Sequence, residues 1–304
     1  MGMMENSDKY KIKHKLREAR AFEKEGKYLH AVQVYNSLMN EFPGSEEIAI
    51  RYAALLEKSG KYPAAKDMLG SFLEKNHDSP GVRLFLGQMM IRSEDFEPSI
   101  DVLSHLRISE EPVAAFLTGY AQYMLKEFKL ADIAFRNFLE HAGKNELVPD
   151  AYFYLAKTHL NLDDITAATM YLDGCADYYD NHYEVHLLSA ILHHRGGMYA
   201  HSLALIERAI KLKPSDEKVI EWAAEIYFVN ENYVKARTYY KKFIETAPEL
   251  TGDMYARLGY CGYMVKKYKE AAVNFEKALL LDPDNKLVSA NVNFLNKYLR
   301  PVKK

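Results

Sequence analysis

The chain has 304 residues, 48% hydrophobic and 27% charged, with a formal net charge of −2 and a pI near 6.6. That length suits two ordinary domains or one extended array of repeats, and the near-neutral balance lacks the basic footprint of a general nucleic-acid binder. Two cysteines, Cys175 and Cys261, stand far apart with no companion at zinc-ligand spacing, which excludes a disulfide framework and a structural zinc site.

Residues 1–11 form a short N-terminal segment without the apolar core of a signal peptide. No run of about 18 apolar residues follows anywhere, so a cytoplasmic protein without membrane insertion is expected. From residue 12 onward a phrase recurs. KYLHAVQVYNSLMNEFPG (27–44) places Tyr28, Ala31, Tyr35, Leu38 and Pro43 at the offsets held by Tyr268, Ala271, Phe275, Ala278 and Pro283 in KYKEAAVNFEKALLLDPDN (267–285). The apolar residues of each phrase fall on one helical stripe, and the proline stops the helix.

A register of 34 residues accommodates eight copies, at 12–45, 46–79, 80–111, 112–145, 149–182, 183–216, 217–250 and 252–285. The third is two residues short, and residues 146–148 are inserted before the fifth, changes that loops between helices absorb. Position 8 reads Ala19, Ala53, Gly87, Gly119, Ala156, Ala190, Ala224 and Gly259, and position 20 reads Ala31, Ala65, Ser99, Ala131, Ala168, Ser202, Ala236 and Ala271. Two columns of only Gly, Ala and Ser predict two helices crossing closely at those points. Position 17 is aromatic in every copy but the fifth, where Ile165 stands, and position 24 is always large and apolar. Gly26, Gly60 and Gly197 share position 15, between the two helices. After the eighth copy, KLVSANVNFLNKYL predicts one unpaired helix over 286–300 that caps the last repeat, followed by a basic tail at 301–304.

These columns resemble the tetratricopeptide repeat family over residues 12–285. The resemblance implies an all-α fold: an α-solenoid of antiparallel helix pairs winding into a right-handed superhelix, with the first helix of each pair lining a concave groove. Tryptophan is missing from position 4 throughout, and the first copy carries Lys15 and Glu18 where apolar residues are usual, polarity that suits an N-terminal cap.

In the family, first-helix positions 2, 5, 9, 12 and 13 face the groove. Position 5 here gives Leu16, Ile50, Leu84, Phe116, Phe153 and Leu187 in succession, then Glu221 and Ala256, and the fourth copy adds Tyr120, Tyr123 and Met124. The stripe has two readings, a groove for an amphipathic helix or apolar peptide of another protein, or packing between neighbouring repeats. The groove reading predicts that Phe116→Glu with Phe153→Glu removes partner binding and leaves melting nearly unchanged. Charges flank the stripe: Arg20 at position 9, Lys24, Lys58 and Arg92 at position 13, and Glu221 and Glu225 in the seventh copy. They read either as a gradient that orients a ligand or as an ordinary solvated face.

Family members that grip a heat-shock protein's C-terminal carboxylate use Lys and Asn at positions 5 and 9. Leu16 and Arg20, Ile50 and Ala54, and Leu84 and Gln88 stand there instead, so that function is not expected. His182, His186, His193, His194 and His201 crowd the sixth copy, but His186 and His193 fall at positions normally interior, so core substitution is expected rather than metal binding. Nucleophile motifs, phosphate loops and paired catalytic carboxylates are not visible. The sequence therefore points to a protein-interaction scaffold, with no enzyme activity, cofactor, metal or nucleic-acid partner expected. A self-assembling component of a larger complex is the alternative.

Overall fold

The structure, a computed structural model, describes residues 6–176, 178–179 and 181–299. Among them are 17 α-helices and no strand. The chain divides into two compact units, Met1–Tyr154 and Leu155–Lys304.

The first unit holds α1 (Asn6–Lys24), α2 (Tyr28–Glu41), α3 (Glu46–Lys58), α4 (Tyr62–Lys75), α5 (Pro80–Arg92), α6 (Phe96–Ser104), α7 (Pro112–Met124) and α8 (Phe128–His141), with the start of α9 (Val148–Asn161). The second holds the rest of α9, then α10 (Ile165–Ala176), α11 (Tyr183–Arg195), α12 (Tyr199–Leu212), α13 (Glu217–Val229), α14 (Tyr233–Thr246), α15 (Gly252–Met264), α16 (Tyr268–Leu281) and α17 (Lys286–Leu299). From α1 to α8, and again from α10 to α17, each helix packs on the next. First helices of successive pairs also touch, α3 on α5, α5 on α7 and α11 on α13. The result is an all-α solenoid of antiparallel helix pairs.

The small-residue columns explain how the pairs close. Ala19, Ala53, Ala156, Ala190 and Ala224 are fully buried, as are Ala31, Ala65, Ser99, Ala131, Ala168, Ser202, Ala236 and Ala271. A Cβ added at Gly119 would stand 2.9 Å from the Phe135 ring, and one at Gly259 would stand 2.8 Å from the Phe275 ring. The large residue of the second helix therefore fills the space left by the small residue of the first.

Every pair turns by the same device. The residue between the helices takes a left-handed backbone in Gly26, Gly60, Glu94, Lys126, Asp163, Gly197, Glu231 and Lys266, with φ between 59° and 77°. The next residue's N–H then reaches back five positions, as from Lys27 to the Phe22 carbonyl (2.8 Å), Asp164 to His159 (2.9 Å) and Lys267 to Gly262 (2.8 Å). This is the closure that satisfies orphan carbonyls at a helix C-terminus. Four of the second helices stop at proline, Pro43 after α2, Pro214 after α12, Pro248 after α14 and Pro283 after α16.

Candidate functional site

In α1, Ile12, Leu16 and Ala19 turn inward and are almost fully buried. Lys11 and Lys15 lie on one flank and both pair with Glu41 of α2, Lys15 at 3.6 Å. The hydrogen bond from Lys11 holds the Glu41 carboxyl below its ordinary range. The other flank is different. Lys9, Lys13, Arg17, Arg20 and Lys24 are all exposed, at spacings of four, four, three and four, which place them in one row along the helix. Arg17, Arg20 and Lys24 line a hollow of about 610 Å³ with Glu23 and Lys58 of α3. Glu23 already accepts the Tyr35 hydroxyl at 2.8 Å, and burial followed by that bond pushes the Tyr35 phenol well up.

The basic residues expected at position 13 therefore have different surroundings. Lys24 and Lys58 are exposed beside the hollow. Arg92 is bound in a two-pronged pair with Glu57, at 2.8 and 2.9 Å. Lys9, Lys13 and Arg17 were not in the sequence-derived set: Lys9 precedes the repeat register because α1 begins at Asn6, Arg17 falls outside the groove columns, and Lys13 stands at position 2, a groove column whose charge was passed over.

The aromatic residues around α7 form one ring cluster. Phe116 is 8% exposed and meets Phe135, Phe138 and Tyr154 edge-on at 5.7, 5.4 and 6.3 Å. Phe153 is equally buried, and Leu84 packs on Leu103, Leu106 and Ala114. Burial of both phenylalanines overturns the expectation that Phe116→Glu with Phe153→Glu would spare the fold, since each carboxylate would enter packed apolar surroundings. Nearer the surface, half-buried Tyr120 meets Phe96 at 6.5 Å and Tyr154 at 5.2 Å, and Tyr123 meets Phe128 at 5.7 Å and Tyr154 at 5.5 Å. Met124 beside them is 44% exposed. Tyr154, which joins these rings, falls outside the columns expected to face the groove.

In the second unit Leu187 is 8% exposed and belongs to the apolar core with Ile191, Ile206 and Tyr227. Glu221 pairs with Lys218 of its own helix at 3.3 Å. Glu225 accepts the Tyr240 hydroxyl at 2.9 Å and pairs with Arg257, which also holds Asp253 at 2.7 Å and lies over the Phe228 ring at 5.3 Å. Arg237 and Lys241 of α14 meet on Glu270. Burial raises the Glu270 carboxyl, but the hydrogen bonds and charges of its two cations outweigh that and leave it low.

The histidines of α11 are interior or stacked. His186 is buried, the His193 ring bonds the Ser189 carbonyl at 2.8 Å, and His194 lies against Tyr199 and Trp222 at 5.6 and 5.8 Å. Burial lowers the His194 pKa. Among the described residues, no group of three His, Cys, Asp or Glu side chains stands together as a metal site. No helix among them is long and apolar enough to cross a membrane.

Three tetratricopeptide-repeat family models match the chain, one described as YpiA-like over residues 196–247 and two others over 23–89 and 252–285. The mouse protein O-mannosyl-transferase TMTC1 is 32% identical over 120 residues, 38% of this chain and 12% of that relative. The chain thus matches about an eighth of that relative's length. A tetratricopeptide repeat protein from Parabacteroides merdae has a TM-score of 0.55 at 18% identity, covering 82% of this chain and 98% of its own. A chain of the APC/C hetero-tetramer Cut9-Hcn1 has a TM-score of 0.57 at 12% identity, covering 88% of this chain and 52% of its own. At these identities the two structures bear on the fold.

Proposed function

The chain belongs to the tetratricopeptide repeat family, and on that premise we propose that it is an adaptor that binds a peptide or helical segment of another protein. The repeat fold suggests a protein-interaction scaffold in general. The observation that carries the finer reading is the aromatic surface on α7, where Tyr120 and Tyr123 are half-buried and Met124 is 44% exposed. Rings held edge-to-face at fixed distances, with an adaptable thioether beside them, offer a preformed apolar platform at low entropic cost. Phe116 and Phe153 support that platform from below and present little surface of their own.

The mannosyl transfer named for TMTC1 stays with that protein, because the shared stretch is 12% of its length. Binding without catalysis is part of the proposal, since Glu221 and Glu225, the carboxylates that the seventh copy places in groove columns, are engaged by Lys218 and by Tyr240 with Arg257. A cytoplasmic location is part of the proposal, supported by the buried thiol of Cys261.

The test is affinity capture from a native-source extract, with the wild-type chain beside Tyr120→Gln with Met124→Glu, and melting of both measured first. A protein held by the wild type and lost by the folded variant supports the platform. Equal capture by both removes it. Retention of further copies of the chain alone would favour the self-assembling component instead.

A further inference from the structure

Protein charges that serve the fold have partners, and the outer row of α1 has none. Lys9, Lys13, Arg17, Arg20 and Lys24 make no ion pair among the described residues, and neither does Lys58. Three carboxylates nearby are engaged elsewhere, and Glu46, which lines a hollow with Lys9, Lys13, Arg17 and Arg20, makes no ion pair with them. Glu41 holds Lys11 and Lys15 on the opposite flank, Glu23 accepts Tyr35, and Glu47 pairs with Arg51 at 2.7 Å. Like charges one helical turn apart repel, by about 0.2–0.5 kcal/mol for each pair. The row therefore weakens α1, and packing does not account for it, because the buried face is carried by Ile12, Leu16 and Ala19.

Resting on the adaptor reading above, we propose that this row binds an extended acidic segment of a partner protein, with Asp or Glu at every second residue. The spacing selects that chemistry. Cations four residues apart on a helix are separated by about 6 Å along its axis, and alternate side chains of an extended strand by about 6.7 Å. From Lys9 to Lys24 the row spans roughly 22 Å, the length of about seven extended residues. The hollow continuing the row to Lys58 is lined by Arg17, Arg20, Ala21, Glu23, Lys24 and Lys58. Such a lining, even with Ile12 and Leu16 beside Lys9 to Arg20 at 5% and 4% exposed, offers little of the apolar surface on which an amphipathic helix would lay its face. It also lacks the exposed rings on which single-stranded nucleic acid stacks its bases. Of the aromatic residues along the row, Tyr10 beside Lys9 is exposed, a single ring at the end away from the hollow, and Phe22 is half-buried against His30 at 5.3 Å. Unlike a carboxylate clamp, the row has no need of a chain terminus.

The experiment is fluorescence anisotropy with the full chain and a labelled peptide of about seven residues alternating Glu and Ser. Two further probes accompany it: a peptide of the same composition with its glutamates consecutive, and oligo-dT. The alternating peptide should bind best and weaken as salt rises. Arg17→Gln with Arg20→Gln should weaken it by about tenfold or more, and Lys11→Gln, on the paired flank, should leave it unchanged. Tyr120→Gln with Met124→Glu should also leave it unchanged, which separates this site from the aromatic platform. Absence of binding, equal binding of the clustered peptide, tighter binding of oligo-dT, or an unaffected double variant would each overturn the proposal. The adaptor reading would still stand if extract capture depended on Tyr120 and Met124.

Discussion

The charges of α1 and those of α13 to α15 are used in opposite ways. In the second unit Glu225, Arg257, Asp253 and Tyr240 form one connected set, and Arg237 and Lys241 share Glu270. Glu225 ties α13 to α14 and α15, Glu270 ties α16 to α14, and Asp253 braces Arg257 within α15. In the first unit the row from Lys9 to Lys24 ties α1 to nothing. One repeat scaffold can thus use its polar positions as internal fastenings or leave them open to solvent, and the choice is made by where opposite charges fall, because helix spacing alone is the same in both.

The largest expected effect would break the fastened region outright. Gly259→Leu would drive a side chain into the Phe275 ring, already 2.8 Å from a Cβ at that point. A loss of about 3 kcal/mol follows from overpacking, read as a lowered urea midpoint with loss of helical signal from the second unit. Next, Glu225→Gln removes the charge shared by Tyr240 and Arg257. Both side chains of the pair are about a third exposed, 28% and 32%, so screening trims the cost to about 1–2 kcal/mol. Arg17→Gln on α1 should be neutral or stabilise by less than about 0.5 kcal/mol, as repulsion within the row falls. Equal losses for the two substitutions would dissolve the comparison.

The third effect is a dependence on pH. His194 is half-buried, with Glu225 nearby favouring its charge and Arg257 and Arg195 opposing it, and burial dominates to lower its pKa. The unfolded chain therefore binds the proton more readily than the folded one. Stability of the second unit should hold above about pH 6.5, the ordinary histidine value, and decline as pH falls from there toward the lowered folded value. His194→Phe should flatten that decline in thermal melts across the range. The smallest effect is a gain. Glu231 joins α13 to α14 with φ of 59°, so Glu231→Gly relieves a left-handed strain and should add about 0.5 kcal/mol after glycine's extra chain entropy is subtracted.

The fold class was legible because packing writes itself into columns. Ala or Gly at the crossings and a large apolar residue opposite are required in every copy, so Gly119 with Phe135 and Gly259 with Phe275 reveal a contact without coordinates. The turn was only partly legible. Gly26, Gly60 and Gly197 announce it, but Glu94, Lys126, Asp163, Glu231 and Lys266 adopt the same backbone with ordinary side chains, because closing the hairpin outweighs a modest local strain. Site residues were harder to judge. A column fixes a face of a helix, not its depth, and Phe116 lies deep because Phe135 and Phe138 on α8 close over it. Tyr154 was missed because it belongs to no groove column, and the partner of Arg92 because Glu57 lies one whole repeat away.

The shared closure of the hairpins also bears on how the chain is made. The backbone bond that seals each pair joins residues only five apart, as from Asp95 to Met90 or Met198 to His193. A nascent chain leaving the ribosome can therefore set the turn of each pair before the next repeat has been synthesised, and short-range contacts favour rapid folding. Vectorial synthesis would lay the solenoid down pair by pair, with no wait for a distant segment to set each turn.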